Sequence, residues 1–269
     1  MTKVKTEENY IKIDNYDLKS ISDYQEIYNY SLENPDLFWS VIAERIDWYE
    51  KWTSVRKFDF ARGQIKWYAG AKLNASYNCI DRHIKNGHGD EIAIIWEGND
   101  PSSSKFYSYK KLHEEVCKFS NVLKKQNIKK GDRVCIYMQM IPELAIAMLA
   151  CARIGAIHSV VFGAFSSESL QDRINDSKCK ILITQDTGLR GEKNNIPMKS
   201  NADSAVSKTS SIDKIIVVKR TGKEVNMDPD RDIWWHELML DADPVCEPEI
   251  MDSEDPLSSI SSKVITWVF

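Results

Sequence analysis

What this sequence is short of narrows it first. Its six cysteines (Cys79, Cys117, Cys135, Cys151, Cys179, Cys246) form no C-x-x-C pair. The first twenty residues are polar and lack the apolar core of an export signal, so the cysteines read as buried thiols rather than disulfides or zinc ligands. The longest apolar stretch, residues 144–151, is far shorter than a bilayer crossing requires. A cytoplasmic chain with no membrane partner is therefore expected. Positive charge is not in excess either: 36 Lys and Arg stand against 40 Asp and Glu, a net charge of -4. That leaves no electrostatic footprint for nucleic acid. The one dense basic stretch, 124–133, is broken by Gln126, Asn127 and Asp132, as a solvated helix end and turn would be. Five histidines (His83, His88, His113, His158, His236) are scattered without H-x-x-x-H spacing, so no metal ligand set is expected. No internal repeat or low-complexity tract is present.

The generic catalytic motifs fail as well. A Walker A loop wraps phosphate in backbone N–H groups and needs G-x-x-x-x-G-K-[ST]. Gly222-Lys223 comes nearest, but Val217 stands at the first glycine and Glu224 at the hydroxyl. A dinucleotide fingerprint begins at Gly87-His88-Gly89, ends in Ile92, and precedes a strand instead of following one. No G-x-S-x-G elbow is present to offer a hydrolase nucleophile. The acidic run 252–255 reads as a solvated loop, and Trp234-Trp235 as packing rather than a base-stacking platform. No catalytic residue is assigned.

What is there is a globular composition, 42% hydrophobic and 28% charged, enough to exclude disorder over most of the chain. Residues 24–52 are helical in texture and rich in aromatics. Asn34-Pro35-Asp36 signals a helix start, with Asn34 as cap and proline in the first turn. A loop region carrying Arg62-Gly63 and Gly70 is expected next, and a helical pattern over 73–86. From residue 91 strand and helix patterns alternate. Strands are expected at 92–96, 133–138, 156–162, 180–184 and 214–219. Helices are expected from Ser108 to before Gly131, over 143–153, and from Ser166 through Asp176. This spacing predicts parallel β-α-β units in a sheet covered on both faces.

Several of these stretches, in order, resemble the N-terminal portion of AMP-forming acetyl-CoA synthetases of the adenylate-forming superfamily. They are Asn34-Pro-Asp-Leu-Phe-Trp39, Gln64-Ile-Lys-Trp67, Asn78-Cys-Ile-Asp-Arg-His83, Ala93-Ile-Ile-Trp-Glu-Gly98, Ala147-Met-Leu-Ala-Cys-Ala-Arg-Ile-Gly-Ala156, His158-Ser-Val-Val-Phe-Gly-Ala-Phe-Ser166, Lys219-Arg-Thr-Gly222, Arg231-Asp-Ile-Trp-Trp-His236 and Asp255-Pro-Leu257. The resemblance implies an incomplete N-terminal domain of the adenylate-forming fold: a leader at 1–23, an aromatic-rich cap at 24–88, part of an AMP-binding domain at 89–257, and a divergent tail at 258–269. It implies a ligase that joins acetate to CoA through acetyl-AMP, using ATP, Mg and CoA. Among the family's CoA-binding positions, those present here are Phe162, Gly163 and Ala164, where the family has Phe-Gly-Gly, and Arg190 with Lys193.

Past Asp255-Pro-Leu257 the family continues into a Ser/Thr/Gly-rich phosphate loop. Here residues 258–269 read SSISSKVITWVF, and without glycine such a loop cannot readily take the positive φ it needs. An out-of-frame or truncated end is expected, and with it a fragment inactive by itself. The alternatives are a stand-alone CoA- or nucleotide-binding module, or one half of a split synthetase whose partner is the remainder.

Overall fold

In the computed structural model, residues 3–5, 10–12 and 21–260 are described. Most of the expected leader at 1–23, and the expected tail from residue 261 onward, lie outside them. The chain divides into two units, Met1–Leu73 with Ile250–Asp255 and Asn74–Glu249 with Pro256–Phe269. Residues 74–88 thus group with the second unit.

In the first unit, helices Ile21–Glu33 and Pro35–Ala43 pack through Tyr30 and Phe38. Pro35 takes the first helical position as expected, but the Asn34 side chain makes no capping bond. The expected loop carrying Arg62-Gly63 and Gly70 is instead mostly an antiparallel hairpin, Ser54–Asp59 with Gln64–Ala69. It turns at Gly63, whose φ of 63° suits glycine, and Asp59 accepts a hydrogen bond from the Arg62 N–H. Neither strand has a fully buried residue, so burial does not enforce the alternation that announces a strand. Trp48, Trp52 and Tyr68 cluster with ring centroids 5.1 to 5.3 Å apart.

The second unit is built on a five-stranded sheet. Its strands are β1 (Arg133–Met138), β2 (Ile157–Phe162), β3 (Ile181–Gln185), β4 (Lys214–Val218) and β5 (Asp232–Trp234). They lie in the order β5-β4-β3-β1-β2, and every pairing is parallel. Helices α1 (Tyr109–Lys125) and α2 (Pro142–Arg153) cover one face, α3 (Ser167–Ser177) and α4 (Met198–Val206) the other. Alternation divides the core between them. Val134, Ile136 and Met138 of β1 join the first cluster, Cys135 and Tyr137 the second. Ser108 and Ser166 cap α1 and α3, accepting from the backbone N–H three residues on.

Three sequence expectations need correcting here. Residues Ile92–Trp96 do form a strand, but it pairs antiparallel with Lys105–Ser108 and is not part of the parallel sheet. The segment between the expected strands at 180–184 and 214–219, for which the sequence suggested no element, holds a hairpin, Gly188–Arg190 with Lys193–Ile196, and then α4. The edge strand β5, unforeseen, carries Asp232, whose carboxylate meets the buried Lys199 ammonium at 2.7 Å. Lys199 also meets Asp203 at 2.6 Å, and Arg231 bridges Asp203 and Asp232. This ionic cluster ties α4 to β5. The neighbouring Trp235 opens the short helix α5 (Trp235–Leu240) and stacks on Phe119 of α1 with centroids 3.7 Å apart.

Candidate functional site

The strand order reverses direction at β1. The chain moves from β1 outward to β2, then returns to place β3 on the other side of β1. At such a switch point the connections leave β1 and β3 toward opposite faces, and a crevice opens beyond the carboxyl ends of the strands. A cleft of about 290 Å³ lies there, lined from β1's end by Gln139, Met140 and Ile141 and from β2's end by Phe162, Gly163 and Ala164. Leu189, Arg190 and Ile196 of the hairpin after β3 add a wall, and so does Arg220 after β4. That volume is at the lower limit of small-molecule sites, about 300–1,000 Å³.

Two glutamine amides, the buried Gln185 and the part-buried Gln139, hold the hairpin against this floor. Gln139 Oε1 accepts from the Leu189 N–H at 2.9 Å, and Gln139 Nε2 donates to the Leu189 carbonyl at 3.0 Å. Gln185 Oε1 accepts from the Gln139 N–H, and its Nε2 donates to the Thr187 carbonyl, each at 2.9 Å. Gly188 leaves room for this seat, since a Cβ there would lie 2.7 Å from Gln139 Oε1. Gly163 is small for a similar reason: a Cβ would come within 3.1 Å of both the Met138 carbonyl oxygen and Met198 Cε. The turn 163–165 is fixed from beneath by Tyr137, which donates to the Phe165 carbonyl at 2.8 Å. Burial pushes the Tyr137 phenol above its ordinary range, against the opposing Asn201 hydrogen bond, so it stays a donor.

Of the five residues expected at a CoA site, the fold brings four to the cleft: Phe162, Gly163, Ala164 and Arg190. Phe162 stands 60% exposed at its lip. Lys193 does not line it; it lies directly across the hairpin from Arg190, beyond the Gly191-Glu192 turn. Neither cation has an ion pair among the described residues. Gln139, Gln185, Trp96 and Arg220 were not singled out from the sequence. A polar residue ending an otherwise apolar buried strand, as Gln185 ends β3, was the available signal.

The family profile described as AMP-binding enzyme matches residues 81–260. This chain belongs to the AMP-binding enzyme family. A second profile, the N-terminus of acetyl-coenzyme A synthetase, matches residues 24–79 of this AMP-binding family member. The chain is 56% identical over 235 residues to acetyl-coenzyme A synthetase of Saccharophagus degradans, covering 87% of this chain and 36% of that protein. It is 54% identical over 235 residues to the acetyl-coenzyme A synthetase of Desulfatibacillum aliphaticivorans and 51% to acetyl-coenzyme A synthetase 2 of Pseudomonas putida, with the same coverages. The chain thus spans 36% of the length of these relatives. Acetoacetyl-CoA synthetase from Streptomyces lividans shares the fold, with a TM-score of 0.76 at 22% identity over 87% of this chain and 35% of that one. Among the described residues, no helix is long and apolar enough to cross a membrane.

Proposed function

We propose that this chain is the N-terminal part of an AMP-forming acetate–CoA ligase, cytoplasmic, with 24–88 as its cap and 89–257 as part of its AMP-binding domain. Its contribution to that ligase is to hold the nucleotide end of CoA in the cleft at the switch point. The observation that carries this reading is the convergence of Phe162, Gly163, Ala164 and Arg190 on one cleft from two separate strand ends. Phe162 offers an exposed aromatic face for a flat heterocycle. Arg190 offers an unspent guanidinium for phosphate. Lys193, its cross-strand neighbour, adds positive potential at the hairpin tip. ATP and Mg belong to the whole family reaction. No Ser/Thr/Gly-rich loop stands among the described residues to hold the β- and γ-phosphates, so no residue here is assigned to them.

Calorimetry tests the reading. CoA should bind the 269-residue chain saturably, and Arg190→Ala should weaken it about tenfold, the worth of a charge-assisted hydrogen bond; no heat at millimolar CoA would sink it. These residues alone should show no acetate-dependent ATP–pyrophosphate exchange, and detecting it would overturn the assignment of chemistry to other residues. Recovery of exchange on co-expression with the rest of a synthetase would favour a split enzyme over a stand-alone CoA-binding module.

A further inference from the structure

The cleft holds a second arginine, part of the family-like Lys219-Arg-Thr-Gly222 segment but outside the proposed CoA set. Arg220 sits on the loop after β4, and that loop is held by an unusual anchor. Asp186, fully buried at the end of β3, spends its carboxylate on backbone N–H groups. Its Oδ1 accepts from Arg220 at 3.0 Å and Thr221 at 3.1 Å; its Oδ2 accepts from Thr221 at 3.0 Å and Gly222 at 2.8 Å. A carboxylate bound to successive N–H groups fixes the path of a loop far more tightly than neutral bonds do. Gly222 closes the turn with a φ of 75°.

The side chain is placed as firmly as the backbone. The Arg220 guanidinium carbon lies 4.7 Å from the centroid of Trp96, itself a cleft residue. Trp96 is oriented in turn by its Nε1, which donates to the Met140 carbonyl at 2.7 Å. A guanidinium lying on an aromatic face uses that face for stacking and leaves its N–H donors to a ligand. Among the described residues those donors have no carboxylate and no hydrogen-bond partner. The cleft's own acidic residue, Glu97, is not paired with it. A fixed guanidinium with unspent donors beside an apolar floor is a preorganised receptor for an anionic group.

We infer that Arg220, positioned by Asp186 and Trp96, is a second phosphate-binding residue of this cleft, taking the diphosphate of the nucleotide while Arg190 takes the separate 3′-phosphate. The inference rests on the CoA reading and deepens it: the cleft recognises two phosphate groups through two arginines carried on loops after β3 and β4.

Calorimetry of the 269-residue chain with CoA and with 3′-dephospho-CoA separates the roles. Arg220→Met should weaken both ligands about tenfold, because both keep the diphosphate. Arg190→Ala should weaken CoA and leave 3′-dephospho-CoA unchanged. Trp96→Leu removes the platform without touching the charge and should weaken both ligands by a smaller factor, which keeps the test decisive should Arg220→Met misfold. Unchanged binding of both ligands by folded Arg220→Met overturns this role while leaving the CoA reading intact, and so does a loss confined to CoA. If the unaltered chain binds neither ligand, the CoA reading fails and this inference fails with it.

Discussion

Single atoms decide whether several positions of this chain can be filled. A Cβ at Gly188 would stand 2.7 Å from the Gln139 amide oxygen, which already accepts the Leu189 N–H. Gly188→Ala should therefore displace that amide or the hairpin. A loss of about 1–3 kcal/mol, the usual penalty of overpacking, is expected in chemical denaturation. CoA affinity should fall with it if the hairpin that carries Arg190 moves. An unchanged denaturation midpoint would show that the Gln139 seat yields freely. None of this was visible in the sequence, where Gly188 is one glycine among eleven. Gly163 differs, because the run Phe162-Gly163-Ala164 stands in a recognisable family segment.

Between elements, the short helix α5 is joined to α1 by the stack of Trp235 on Phe119. Both rings are buried, and Trp235 belongs to the core cluster on that face of the sheet. Trp235→Ala should cost about 3–5 kcal/mol through lost burial and an unfilled cavity. A loss in unfolding free energy under about 1 kcal/mol in urea denaturation would show that α1 does not depend on it. At this scale the sequence was legible where burial is strong. The strands β1 to β4 announced themselves as short, nearly continuous apolar runs and the helices α1 to α3 by apolar residues spaced at the helical period. It was silent over the hairpin Ser54–Asp59 with Gln64–Ala69, where no residue is fully buried. It was silent too over α4 (Met198–Val206), where Lys199 is one of the buried residues and so blurs the apolar pattern.

Across the second unit, a part-buried ionic cluster joins three distant segments. Arg153, 2% exposed, makes two hydrogen bonds to the Asp81 carboxylate at 2.8 and 2.9 Å, and His113 Nε2 lies 3.2 Å from Asp81 Oδ1. Burial pushes the Asp81 carboxyl up, but the bonds from His113 and Arg153 outweigh it and hold it at about 2. The hydrogen bond His113 donates to Asp81, with one to the Cys117 sulfur, raises its pKa from 6.5 to about 9 against burial. The His113 contribution to stability is whole below pH 6.5 and is lost as pH rises through about 9. The Asp81 contribution is whole above pH 3.8 and is lost as pH falls toward about 2. Thermal unfolding should therefore show its highest Tm between those limits and a decline from pH 6.5 to 9 that His113→Gln flattens. An alkaline slope unaltered in His113→Gln would refute the assignment.

The sequence by itself determined the family, the parallel α/β architecture and four of the residues that line the cleft. It could do so because periodic burial and a run of motifs are properties of neighbours along the chain. The tertiary structure alone decided the strand order, and with it the switch point where residues 96, 139, 163, 190 and 220 meet. It also decided that Arg190 enters the cleft while Lys193 stands across the hairpin. Which side chains converge depends on how strands are laid beside one another, and no spacing along the polypeptide encodes that order.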